Sequence, residues 1–266
     1  MKEQILTYLP ENHPWREHIL WFDSIDSTNA MAKRLARMNA PHGTILIADC
    51  QTGGRGRLGR SFLSPAGMGV YMSVILRPNC KPEQMMHLTC AAGVAMCDAV
   101  ETVAGFRPQI KWPNDLVYKK RKLAGILTEL SVHPITGLVD YAIVGVGINC
   151  CQKAQELPEE IASFAGSLFA ATNTPVNRWQ LAAAMICSLE KMSNTLLTQK
   201  ESTMAQYRED CVTLNQDVSI LQRETVRHGS VYGMNDDGGL LVAFADGHRE
   251  VIQSGEVSVR GMYGYI

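Results

Sequence analysis

Two apolar runs, "GTILIADC" at residues 43–50 and "GVYMSVILRP" at residues 69–78, have the length and continuity of buried strands. Between them lies "QTGGRGRLGRSFLSPAGM", where Pro65 and Gly67 exclude a helix. The chain therefore builds a sheet in which a glycine- and arginine-rich loop runs from strand to strand. Gly54, Gly56 and Gly59 carry the G-x-G-x-x-G spacing of a dinucleotide turn. That turn needs a helix directly after it, whose N-terminus holds the pyrophosphate, and an acidic residue about 20 positions on for the ribose. Neither follows here, and no G-K-[ST] ending makes it a triphosphatase phosphate loop.

The remaining chain reads as alternating elements. "DSTNAMAKRLARMNAPHG" predicts a short amphipathic helix, capped within Asp26 to Asn29, with Met31, Leu35 and Met38 at helical spacing and a stop at Pro41 and Gly43. Pro82 is expected to open a long helix closing near Gly105. "RPQIKWPNDLVYKKRKLAGILTEL" predicts two short strands around a turn at Pro113 to Asp115, with a charged hairpin tip at Lys119 to Lys122. "DYAIVGVGINC" is a further apolar strand, and helices such as "NRWQLAAAMICSLEKMSNTLL" follow, up to about Cys211. From Val212 the pattern changes to short β runs, "DVSIL", "RHGSVYGMNDDGGLLVAF" and "HREVIQSGEVSVRG", which predict a small all-β, barrel-like module. The expected division is 1–211 and 212–266.

Composition excludes several classes. A net charge of −1 from 25 basic and 26 acidic residues gives no electrostatic footprint for nucleic acid, and 46% hydrophobic residues describe an ordinary soluble globular protein. The N-terminus lacks a signal-type apolar run, and no stretch approaches the roughly 18 apolar residues of a membrane span. The eight cysteines form no C-x-x-C pair, so they read as buried thiols of a reduced cytoplasm rather than a zinc site or disulfide framework. Without a G-x-S-x-G elbow or an H-E-x-x-H helix, any catalysis rests on positioning and electrostatics, which suits an adenylation.

Individual features leave alternatives open. Arg55, Arg57 and Arg60 either decorate a solvated hairpin or fold over a phosphate or carboxylate with bidentate hydrogen bonds. Lys111 to Asp115 is either a capped turn with Trp112 buried or part of a site. Lys122 either snorkels to solvent or points into a site. The glycines of "VGVGIN" either ease strand packing or let a flat ligand approach the backbone.

Taken in order, "DSTN", "QTGGRGRLGRSFLSP", "KWPNDL", "RKLAGIL" and "VGVGIN" resemble the biotin protein ligase family, over about residues 20–266. The resemblance implies an α/β (α+β) catalytic domain with a mixed sheet of the class II aminoacyl-tRNA synthetase-like type, over 1–211. An SH3-like β-barrel over 212–266 follows. It implies that biotin and ATP, with Mg²⁺, give biotinyl-5′-AMP, and that biotin passes to a lysine of a biotin carboxyl carrier protein. Residue by residue, Ser27, Thr28, Asn29, Gln51 and Gly125 match biotin-pocket positions. Arg55, Gly56 and Arg57 match the loop covering biotin and the adenylate phosphate. Lys122 matches the lysine at the reacting carboxylate; with Arg57 it is the expected catalytic pair. Arg60, Asn114, Asp115, Asn149 and Arg260 match positions near the nucleotide. Protein ligands for the metal are not identified. Only about 25 residues precede "DSTN", so a ligase without the N-terminal DNA-binding domain of some relatives is expected, with no nucleic-acid or membrane partner and with a homodimer among its allowed assemblies. Phe62 stands where many relatives have tryptophan. A lipoate ligase or octanoyltransferase of the same fold, or a DNA-binding biotin sensor without catalysis, is the competing expectation.

Overall fold

In the computed structural model, residues 1–156, 159–222, 225–253 and 258–261 are described. The elements run α1 (Lys2–Leu6), β1 (Ile19–Ile25), α2 (Thr28–Arg37), β2 (Thr44–Gln51), β3 (Gly69–Leu76), α3 (Leu88–Ala104), β4 (Gln109–Lys111), β5 (Asp115–Tyr118), β6 (Arg121–Val132) and β7 (Val139–Asn149). After these come α4 (Glu159–Ala162), α5 (Leu168–Thr172), α6 (Arg178–Thr195), α7 (Lys200–Asp210), β8 (Asp217–Gln222), β9 (Thr225–Met234), β10 (Leu240–Phe244), β11 (Arg249–Ile252) and β12 (Ser258–Gly261).

The first seven strands form one mixed sheet in the order β1-β2-β3-β7-β6-β5-β4. Only β1 and β2 pair in parallel, and the helix α2 makes their crossover. The apolar runs of β2, β3 and β7 are explained by burial on both faces. Leu46, Ile75 and Ile143 pack under Ala32 and Ala36 of α2 on one side. Ile45, Ile47, Val74, Leu76 and Val144 join the main core on the other, with Met96 and Val100 of α3 and Leu189 of α6. Each such fully buried aliphatic side chain stabilises by about 1.5–3 kcal/mol. The second sheet, β11-β10-β9-β8-β12, is wholly antiparallel and covers the β-rich stretch read from Val212 onward. Residues 254–257 of its last run lie outside the described residues.

Three local expectations change. The helix expected from Pro82 is a 3₁₀ turn at Pro82–Met85 followed by a separate α3. The break falls at His87, which is drawn inside to place Nε2 2.9 Å from the Leu196 carbonyl oxygen. The hairpin tip is only Lys119 and Lys120, both with positive φ (47° and 63°), as a two-residue turn of left-handed conformation requires. Lys122 is therefore inside β6, and there the ladder shifts register: Leu116 faces Ala124 while Val117 faces Lys122. Leu123 is the extra residue of a bulge, which turns Lys122 onto the same face as Gly125. Third, all eight cysteines are free thiols, but Cys50, Cys151 and Cys187 are only half-buried.

Candidate active site

A cavity of about 1030 Å³ opens over the sheet between the Gly/Arg loop, the β5–β6 hairpin, the segment 161–165 and the edge of the β module. The loop's arginines and Gly56 line it, as do Ser27, Thr28 and Asn29 at the start of α2 and Gln51 at the end of β2. Asn114 and Asp115 reach it from β5, Lys122 and Gly125 from β6, Asn149 from β7 and Arg260 from β12. The structure thus brings every candidate site residue named from the sequence to one lining.

One end is a polar network built by a helix cap. Ser27 caps α2, its Oγ accepting from the Ala30 amide at 3.4 Å. This turns the next two side chains toward the sheet. The Thr28 amide and hydroxyl donate to Gln51 Oε1 at 2.9 and 3.1 Å, and Gln51 Nε2 donates to Ser64 Oγ at 2.9 Å. Asn29 Oδ1 accepts from buried Ser73 at 2.6 Å, and Asn29 Nδ2 donates to Leu127 O and to Glu129 Oε2. Glu129 is in turn paired with Lys33 at 2.5 Å. Both donors of the Asn29 amide are engaged, so this side chain shapes the wall more than it can offer hydrogen bonds.

The floor is β7 glycine. An added Cβ on Gly147 would sit inside contact distance of the Phe62 ring, which also lies 3.3 Å from the Cβ position of Gly125. Phe62 closes edge-on to Tyr71 and under the Lys122 ammonium, 6.0 Å from its centroid. The glycines therefore serve close approach of a flat ring. The loop returns on itself as a short hairpin, with Arg55 bridged to Ser61 and the Gly56 amide donating to Arg60 O at 2.7 Å. Leu58 and Gly59 at its tip have positive φ.

The other end is strongly cationic. Arg55, Arg57, Arg60, Lys111, Lys122 and Arg260 face one carboxylate, Asp115, among the described lining residues. Lys122 Nζ is 2.7 Å from Asp115 Oδ1. Arg57 Nη1 donates to Asn114 Oδ1 at 3.3 Å, while its buried Nη2 has no hydrogen-bond partner among the described residues. Burial lowers the Arg57 pKa, with Asp115 acting the other way. Lys111, 6% exposed, is brought down to about 8 by burial, against the pull of Asp115 and with Lys122, Arg260 and Arg60 adding to the fall. A buried guanidinium N–H without a partner is costly, and an anion in the cavity would satisfy it.

Some lining residues were not singled out by sequence. Gln152, 5% exposed, presents an Oε1 with no partner among the described residues, and Ser219 and Val226 come from the β module. Polar residues at these places have no distinguishing spacing, and only the packing of the two sheets brings them here.

Residues 21–149 match the family model described as biotin/lipoate A/B protein ligase family, and residues 213–260 match the biotin protein ligase C terminal domain. The bifunctional ligase/repressor BirA of Bacillus subtilis is 32% identical over 236 residues, covering 88% of this chain and 72% of that protein. The biotin--[acetyl-CoA-carboxylase] ligase of Mycobacterium tuberculosis is 31% identical over 239 residues, covering 87% and 85%. The solved structure of the biotin protein ligase from Aquifex aeolicus in complex with biotin and ATP superposes with a TM-score of 0.77 at 31% identity, over 91% of this chain and 98% of that one.

Proposed function

The chain belongs to the biotin/lipoate A/B protein ligase family, and we infer that it is an ATP-dependent biotin protein ligase. It activates biotin as biotinyl-5′-AMP and passes the biotinyl group to a lysine of a biotin carboxyl carrier protein. The observation that carries this reading is the two-ended cavity: a polar pocket, whose glycine floor carries the Phe62 ring, runs into a lining with six cationic side chains and, among the described lining residues, a single carboxylate. Its volume suits two adjoining ligands, a small acid and a nucleoside triphosphate.

The residues divide accordingly. Ser27, Thr28, Gln51 and Gly125 border biotin, with Asn29 holding the wall. Arg55, Gly56 and Arg57 cover biotin and the phosphate, and Arg60, Asn114, Asp115, Asn149 and Arg260 border the nucleotide. In the first step the biotin carboxylate oxygen attacks the α-phosphorus, the α–β bridge breaks and pyrophosphate leaves. Charge gathers on the phosphate oxygens, where Arg57 and Lys122 stabilise it electrostatically. In the second step the acceptor amine attacks the acyl carbon and AMP departs. No covalent enzyme intermediate is needed. The mixed anhydride is open to hydrolysis, so a glycine-hinged loop bearing arginines both clamps it and excludes water.

The donor set fits Mg²⁺ in the form such sites use, one or two carboxylates plus substrate phosphates. Asp115 would hold the ion, with Asn114 or Asn149 adding an amide oxygen, and the ion would neutralise phosphate charge. The catalytic unit fits a class II aminoacyl-tRNA synthetase-like domain and the β module an SH3-like barrel. Among the described residues no helix is long and apolar enough to cross a membrane, and free thiols suit a reduced cytoplasm.

The test is pyrophosphate release with ATP and either biotin or lipoate. Release driven by biotin is expected; release driven only by lipoate would replace this reading with a lipoate ligase.

A further inference from the structure

We propose that Asp49 and Arg178 form the fixed root of the Gly/Arg loop and act as positioning residues for adenylate retention, an inference that rests on the ligase reading for what the loop covers. Neither side chain lines the cavity, yet their contacts hold the turn through which the loop returns to β3.

Strands β2 and β3 pair only as far as Ala48 with Tyr71. Beyond that the chain detours through residues 65–68 before Ser64 meets Gln51 again. The detour loses ladder partners, and the Asp49 carboxylate replaces one of them. Its Oδ1 accepts from the Gly67 amide at 3.1 Å and from Arg178 Nη2 at 2.6 Å. Arg178 Nε then donates to Gly69 O at 2.9 Å, on the far side of the same turn. Asp49 and Arg178 are 20% and 12% exposed, so the pair is little screened by solvent.

The consequence reaches both ligand ends. Between the two anchored residues, Met68 O accepts from the Cys150 and Cys151 amides at 3.0 and 2.9 Å, directly after Asn149. On the other flank, Tyr71 donates to Pro65 O at 3.0 Å and meets Phe62. The turn held by Asp49 and Arg178 therefore sets the loop's return leg, carrying Phe62, and the turn that follows Asn149.

The experiment compares the parent with Asp49→Asn, which removes the charge, Asp49→Glu, which keeps it, and Arg178→Lys, which keeps a cation but loses the bond to Gly69. Escape of preformed biotinyl-5′-AMP in a chase without carrier should rise roughly tenfold in Asp49→Asn and Arg178→Lys and fall back toward parent in Asp49→Glu. A higher KM for biotin with kcat of adenylation within about twofold of parent should accompany it. Hydrogen exchange should become faster at the Gly67 to Gly69 amides. Parent-like escape and exchange in folded Asp49→Asn, or in Arg178→Lys should the first variant not fold, would overturn the proposal. If the parent made no biotinyl-5′-AMP, the ligase reading would fail, while exchange at Gly67 to Gly69 would still decide the anchor.

Discussion

Lys111 and Lys122 approach the same carboxylate, Asp115 of β5, from the two strands that flank it, and their surroundings differ. Lys122 is a quarter exposed and ion-paired with Asp115, and in the proposed reaction its ammonium exchanges that partner for the reacting oxygens. Lys122→Ala should slow biotin-dependent pyrophosphate release about 10²–10³-fold, the usual loss for a group aimed at developing charge. Near-normal release would take Lys122 out of the reaction. Lys111 is buried, and burial pulls its pKa down to about 8. As pH rises through about 8 the free cavity loses one positive charge, so kcat/KM for ATP should fall, by about tenfold for a charge-assisted contact. Lys111→Arg, charged throughout this range, should flatten that limb. A parent profile flat from pH 7 to 9.5 would contradict the role. At this scale the sequence spoke through residue type alone. A cation in a turn or beside an apolar strand was visible, whereas the bulge at Leu123 that turns Lys122 inward follows from pairing with β5.

Among elements, β7 shows what can and cannot be read locally. Its apolar run announced a strand, but the reason for its glycines stayed open until Asn29 and Phe62 were found lying against Gly145 and Gly147. Gly147→Ala should push the Phe62 ring off the floor. Biotin titration should then show affinity weakened about tenfold, with the melting temperature little changed, since the ring borders a cavity rather than the core. Unchanged biotin affinity would show that the ring is not part of the pocket. The helix α2 was legible because cap, apolar spacing and stop signal agree over a short span. The start of α3 was not, because the contact between His87 and Leu196 joins residues 109 apart. Propensity at Pro82 cannot anticipate it.

For the whole molecule, the β module is tied to the catalytic sheet. Trp112 Nε1 donates to Gly238 O at 2.7 Å, and its backbone amide donates to Thr213 Oγ1 at 3.0 Å. Trp112 in "KWPND" is thus a buried anchor whose neighbours in the motif line the cavity. The same join brings Arg260 of β12 to the cavity. Strand order and the meeting of the two sheets depend on packing over the full chain, and no local pattern encodes them. The ordered motifs carried that information only as a resemblance to a family. The central claim is tested most directly by the intact mass of a biotin carboxyl carrier domain incubated with this protein, ATP, Mg²⁺ and equal biotin and lipoate. One added biotinyl group, dependent on ATP and on the acceptor lysine, is the predicted result. A lipoyl group in its place, or an unmodified carrier, would contradict it.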